Sequence, residues 1–197
     1  MKTQLCRTHV PLLIALGLSV ARISKLSAQE SRLVDIVVHS TALEGNMLDD
    51  SPDRNVTVYL PPGYDENPGQ RYPVLYLLHG YIATDKVWTG SEYLSVNIKR
   101  IADSLIEQET MKPMILVMPN ARNKYNGAWY TNSPVTGNWE DFITQELVQY
   151  IDNTYRTLSQ SASRGIAGHS LGGAEAMRLA MKFPDLYSAV YGMSASP

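Results

Sequence analysis

Residues Ser163–Met177 read SRGIAGHSLGGAEAM, and this stretch decides the fold. RGIAG is short and apolar, as a strand covered on both faces is, and the residues after it are small and helix-compatible. Ser170 stands between the two in the pattern GxSxG. A serine on a sharp strand-to-helix turn holds its hydroxyl at the edge of a sheet, and Gly168 and Gly172 relieve the crowding that side chains would create there. The N–H of Leu171 opens the following helix and is placed to bind a developing oxyanion. Ser170 is therefore a candidate nucleophile. Such a serine needs a base, and no histidine follows it in the sequence.

Working outward, strand-like and helix-like patterns alternate, which predicts an α/β layered fold in one domain. RLVDIVVHS (Arg32–Ser40) and NVTVYLP (Asn55–Pro61) read as two early antiparallel strands with SPDR as turn chemistry between them. PVLYLLHG (Pro73–Gly80) and PMILVMPN (Pro113–Asn120) are continuous apolar runs, as expected of strands buried on both faces. Ile98, Ile101, Ala102 and Leu105 recur at helical spacing and predict a crossover helix. A second helix is expected from an Asn138 N-cap, with Glu140 and Asp141 in its first turn and Phe142, Ile143, Leu147, Tyr150 and Ile151 as its buried stripe. The helix after Ser170 stops before Pro184, and YSAVYGMSA (Tyr187–Ala195) reads as one more buried strand.

Composition narrows the chemistry. The 197 residues are 44% hydrophobic, enough for one sizeable core. A positive start followed by the apolar run Val10–Ala21 is too short to span a bilayer comfortably, so residues 1–28 are expected to be a cleavable signal peptide directing the protein to a secreted or periplasmic location. The domain is then 29–197. Removing that leader takes away four positive charges and no negative one, moving the formal charge from −2 to −6, without the electrostatic footprint of a nucleic-acid partner. The single cysteine, Cys6, lies in the leader, so disulfides, thiolate metal sites and a cysteine nucleophile are excluded for the rest. HExxH, GxxxxGK[ST] and GxGxxG patterns are absent, and no metal or other cofactor is expected. HGY (His79, Gly80, Tyr81), after the strand LYLLHG, is the expected source of a second oxyanion donor, the N–H of Tyr81.

These segments resemble the "putative esterase" group of α/β-hydrolases, which includes feruloyl and acetylxylan esterases, tributyrin-type esterases, enterochelin-esterase-like proteins, S-formylglutathione hydrolases and mycolyltransferases. The matching stretches are VYLPPGYD (58–65), YPVLYLLHGY (72–81), KPMILVMPN (112–120), NWEDFITQELVQYID (138–152) and residues 165–196. The resemblance implies an α/β-hydrolase fold, a mainly parallel sheet with helices on both faces. It implies Ser170 as nucleophile, the amides of Leu171 and Tyr81 as oxyanion hole, and a small-molecule or carbohydrate-linked ester as substrate. The family's acid and histidine lie after strands this sequence does not contain, so the domain is expected to be C-terminally incomplete.

None of the four histidines is expected to serve as base. His9 lies in the leader, His39 at the sheet margin, His169 projects away from its neighbour's oxygen, and His79 orders the oxyanion loop. Trp88, Trp129, Tyr130 and Trp139 are either pocket walls or core plugs. Two rivals to ester hydrolysis stay open: acyl transfer with the same nucleophile, and a non-catalytic binding protein that keeps the elbow as architecture. Nothing in the sequence indicates an oligomeric state.

Overall fold

The computed structural model describes residues 30–92, 95–127 and 129–196; the leader expected over 1–28 lies outside them. The two early runs form β1 (Arg32–His39) and β2 (Asp53–Leu60), paired antiparallel along their whole length. The continuous apolar runs become β3 (Val74–Leu78) and β4 (Ile115–Pro119), parallel neighbours joined through helix α1 (Ile98–Glu107). β5 (Asn132–Ser133) and β6 (Gly137–Asn138) are a small separate pair, while β7 (Arg164–His169) lies parallel to β3 and β8 (Ala189–Met193) parallel to β7. The main sheet runs β1-β2-β4-β3-β7-β8. This is a mainly parallel sheet with helices on both faces, the α/β-hydrolase architecture.

The two faces explain why the central strands carry no polar alternation. On one side Tyr76, Leu78, Val117 and Ile166 pack against Phe142, Ile143, Leu147 and Leu179 from the later helices. On the other, Leu77, Leu116, Met118 and Ala167 meet Trp88 and Ala102. Successive strand residues point to opposite faces, so both sets must be apolar. No helix of the described residues is long and apolar enough to cross a membrane.

Three expectations are corrected. In α1 the buried residue is Ala102, with Ile98 and Ile106 packed beside it; Ile101 and Leu105 are 38% and 37% exposed, because the apolar stripe of this helix is turned one position from the predicted one. The second helix covers 139–154 as α2 (Trp139–Asp141), a wider i→i+5 turn (Phe142–Glu146) and α3 (Leu147–Thr154). Asn138 precedes it but makes no side-chain cap; the Asp141 amide donates instead to Asn132 Oδ1 at 3.2 Å, across the β5–β6 pair. β8 is not buried: Val190 and Tyr191 are exposed, since among the described residues β8 is paired on one side only.

Helix α4 (Leu171–Lys182) approaches the sheet more closely than side chains permit. A Cβ on Gly168 would lie 2.2 Å from the Gly172 carbonyl oxygen, and one on Gly172 would lie 2.4 Å from the Leu78 oxygen and 2.5 Å from the His79 oxygen. All three obstacles are backbone atoms, which have no rotamer into which to retreat. Gly172→Ala is thus expected to lower unfolding free energy in urea by about 3 kcal/mol or more, or to prevent folding, the overpacking limit. Gly69→Ala, which meets nothing within 4 Å, should stay within about 0.5 kcal/mol of the parent. Equal stabilities for the two variants would contradict this packing.

Candidate active site

The turn between β7 and α4 places Ser170 at φ 55 and ψ −124, a conformation that L-residues rarely hold. It is held from both sides: the Ser170 amide donates to Met193 O at 2.9 Å, and its carbonyl accepts from Gly173 N at 2.9 Å and Ala174 N at 3.1 Å. The serine is partly exposed, just past β7, which is buried from Arg164 to Gly168. Ser170 thus sits at the carboxyl end of parallel strands, where open α/β sheets bind ligands.

The HGY turn meets it there. A Cβ on Gly80 would stand 3.2 Å from Ser170 Cβ and 3.2 Å from His169 O, so the two turns are in contact. Tyr81 and Leu171, each next in chain after a contact residue, come together over Gly127, whose Cβ would lie 2.9 Å from Tyr81 Cδ2 and 3.9 Å from Leu171 Cδ2. The amides of Tyr81 and Leu171 have no hydrogen-bond acceptor among the described residues. For Leu171 this follows from its place as the first residue of a helix, where N–H groups have no intrahelical partner.

His79 is buried and its two nitrogens are committed. Nε2 accepts from the Ala121 amide at 2.8 Å, so the ring proton sits on Nδ1, which donates to Gly80 O at 2.8 Å. Burial, ahead of every other influence, pushes this imidazole below its ordinary value of 6.5, in keeping with a neutral ring. The His79 carbonyl in turn accepts from Tyr130 Oη at 2.9 Å. Arg178 of α4 links this to the helix layer, donating to Tyr130 O at 2.8 Å and to the buried Glu140 at 2.6 Å. Burial disfavours the charged Glu140 carboxylate, but its bonds to Arg178 and Lys182 outweigh that and hold its pKa below the usual range.

Comparison with known proteins gives the family. The family model described as "Esterase: Putative esterase" matches residues 50–197. The chain belongs to the putative esterase family. It is 34% identical over 133 residues to an esterase of Mycobacterium tuberculosis, covering 65% of this chain and 26% of that protein. It is 28% identical over 137 residues to an endo-1,4-beta-xylanase/feruloyl esterase of Xylanibacter ruminicola, covering 68% of this chain and 18% of the relative. Among solved structures it matches a ferulic acid esterase with TM-score 0.73 and 31% identity, over 85% of this chain and 61% of that one. The chain thus spans about a quarter or less of the length of these two curated relatives.

Within this family framework the structure brings together Ser170, Leu171 and Tyr81, the three residues singled out by sequence. It does not bring a histidine to the serine: no described histidine hydrogen-bonds the Ser170 hydroxyl. His39 lies on β1, four strands from β7 or about 19 Å at the usual strand spacing, and is occupied with Asp53 (2.7 Å) and Glu44 (3.0 Å). His169 points its Nδ1 toward the Gly80 side of the turn, and His9 lies outside the described residues. Of the four aromatics, Trp88, Tyr130 and Trp139 are core; only Trp129 is open, 49% exposed, with its ring 6.4 Å from that of Tyr81. Among the described residues no group of three or more His, Cys, Asp or Glu is arranged to hold a metal.

Sequence reasoning missed the loop 120–127 that backs Tyr81. Asn123 Oδ1 accepts from Tyr125 N at 2.9 Å and Gly127 N at 3.1 Å, while Ile82 N donates to Asn126 O at 2.9 Å and Tyr81 Oη to Tyr125 O at 3.0 Å. No periodic pattern marks such a loop. The cluster of Asn and Gly in NARNKYNG was its one signal.

The His79 arrangement has a pH signature. A histidine whose folded pKa is depressed binds fewer protons in the folded than in the unfolded state, so its contribution is complete above the unfolded value and is lost as pH falls below about 6.5. Urea unfolding from pH 8 to pH 5 should show this slope in the parent and not in His79→Gln, which at pH 7.5 should be weaker by about 1–3 kcal/mol through its broken buried bonds. The difference between the two proteins cancels other titrations, including that of His39. Parallel pH profiles would contradict the neutral, doubly bonded ring.

Proposed function

We propose that this chain carries the nucleophile and oxyanion-binding half of a carboxylic-ester hydrolase. The observation that carries the reading is Ser170 at φ 55, between β7 and α4, with the unpaired amides of Leu171 and Tyr81 beside it. In this mechanism Ser170 Oγ attacks the ester carbonyl carbon and gives its proton to a base. The carbonyl oxygen becomes an oxyanion that the two amides stabilise; donors held in place by the fold need no reorganisation at that moment. Expulsion of the alcohol leaves an acyl-serine, which water then cleaves.

The substrate class follows the relatives named above, esters of small organic acids with small-molecule or carbohydrate alcohols. The base is none of the described histidines. His79 has no free nitrogen, His39 is across the sheet, and His169 makes no bond to the serine. Triad members act as a unit, so a chain without its base should be slower by several orders of magnitude.

Both parts are tested with the 197-residue polypeptide and p-nitrophenyl acetate. Alone, it should turn over no faster than its Ser170→Ala variant. With imidazole added as external base, mass spectrometry should find an acetyl group on the tryptic peptide 165–178, located at Ser170 and missing from the variant. Turnover without imidazole that disappears in Ser170→Ala would overturn the account of the base. An absent adduct would overturn the role of Ser170.

A further inference from the structure

The segment that follows Tyr81 ends on a buried carboxylate that the mechanism above does not use. Asp85 begins the short turn Asp85–Trp88 and is 1% exposed. It has crossed from β3, beyond the neighbouring β4, to reach β2: the hydroxyl of Thr57, itself fully buried in β2, lies 2.6 Å from Asp85 Oδ2. The same hydroxyl is 2.7 Å from Asp35 Oδ1 on β1. Lys86 completes the group, with Nζ donating to Asp35 at 2.6 Å and to Thr57 at 3.0 Å and lying 3.2 Å from Asp85.

Four donor protons serve this cluster. The three N–H donors of Lys86 face Asp35, Thr57 and Asp85, and the one hydroxyl proton of Thr57 remains for a carboxylate. A buried carboxylate is stable only when so paired, and removing one partner leaves an uncompensated charge. The turn is therefore fixed in place. Between it and Gly80 there are only four residues: Tyr81, Ile82 at φ 61, Ala83 with its N on Gly80 O at 3.3 Å, and Thr84, whose Oγ1 accepts from Lys86 N at 3.1 Å. His79 anchors one end of this short span on the sheet and Asp85 anchors the other.

We infer that Asp85, through Thr57, is a positioning residue that holds the 80–84 loop so that the Tyr81 amide faces the reacting oxygen. This rests on the reading of Tyr81 as an oxyanion donor. Asp85 touches neither substrate nor Ser170; it removes the freedom of the loop to turn that amide away. A donor misplaced by about 1 Å can lose a hundredfold in rate, and a missing oxyanion donor typically costs about 10²–10³.

Two readouts test this on the 197-residue polypeptide: the rate of imidazole-assisted acetylation of Ser170 by p-nitrophenyl acetate, and amide hydrogen exchange of the 80–84 loop, both well below the unfolding temperature of each variant. Asp85→Asn and Thr57→Val should slow acetylation about tenfold or more at saturating ester, leave the half-saturating concentration unchanged, and speed exchange in 80–84. Thr57→Ser, which keeps the hydroxyl, should restore both. Glu146→Gln, which removes a remote carboxylate accepting from the Ala42 amide, should alter stability without moving either readout. Folded Asp85→Asn and Thr57→Val proteins that acetylate at the parent rate would overturn the inference, whatever their stability. If the parent itself forms no Ser170 adduct, the nucleophile reading fails; unchanged exchange in 80–84 would then still overturn the claim that Asp85 orders the loop.

Discussion

The site depends on one steric constraint, the backbone-to-backbone approach of α4 to β7 and β3. Where a Gly168 Cβ would stand, the Gly172 carbonyl is 2.2 Å away; where a Gly172 Cβ would stand, the Leu78 carbonyl is 2.4 Å away. Only chain without side chains at 168 and 172 turns this corner. Because it does, Ser170 is forced into positive φ, its hydroxyl stays at the sheet edge, and Leu171 becomes the first residue of a helix with a free amide. The strain is held by the parallel pairing of β3, β7 and β8 underneath, and by the bond from the Ser170 amide to Met193.

The loop after β3 is the second half of the arrangement and is held by polar groups, not by packing. His79 bonds forward to its own chain and sideways to Ala121, Tyr130 caps the His79 carbonyl, and Arg178 ties Tyr130 to the elbow helix. A charged His79 would lose its acceptor for the Ala121 amide while still donating to the Gly80 carbonyl, and a freely rotating ring would release both. Its neutral tautomer is therefore a structural requirement, which also removes it from the candidates for proton transfer. The 120–127 loop and the Asp85 cluster close the remaining sides.

Most of this frame was legible in the residues. Val74–Leu78 and Ile115–Pro119 read as doubly buried strands because both of their faces are apolar, and GHSLG read as an elbow because its glycines sit where backbone meets backbone. What could not be read was determined by tertiary contacts. The rotation of α1 about its axis, which exposes Ile101 and Leu105 and buries Ala102, depends on where Trp88 and Leu77 lie. The side-chain cap on α2 comes from Asn132 instead of Asn138 because the short β5–β6 hairpin folds Asn132 back over the helix start. Tyr187–Ala195 was read as buried from its composition; Tyr187 does join the core, while the exposure of Val190 and Tyr191 reflects which neighbours β8 has. Asp85 and Asn123 are polar residues in ordinary loop sequence, and only the fold reveals that one is tied to Thr57 and the other organises the chain behind Tyr81.

The catalytic proposal rests on a strained serine with two unpaired amides close by. The most direct measurement is a crystal structure of the chain carrying a phosphonate ester on Ser170, an adduct whose phosphoryl oxygen stands where the oxyanion would form. That oxygen should lie 2.7–3.1 Å from both the Tyr81 and the Leu171 nitrogens, the range expected for oxyanion donors. A phosphoryl oxygen turned to solvent, or bonded to other donors while those two amides stay unpaired, would contradict it.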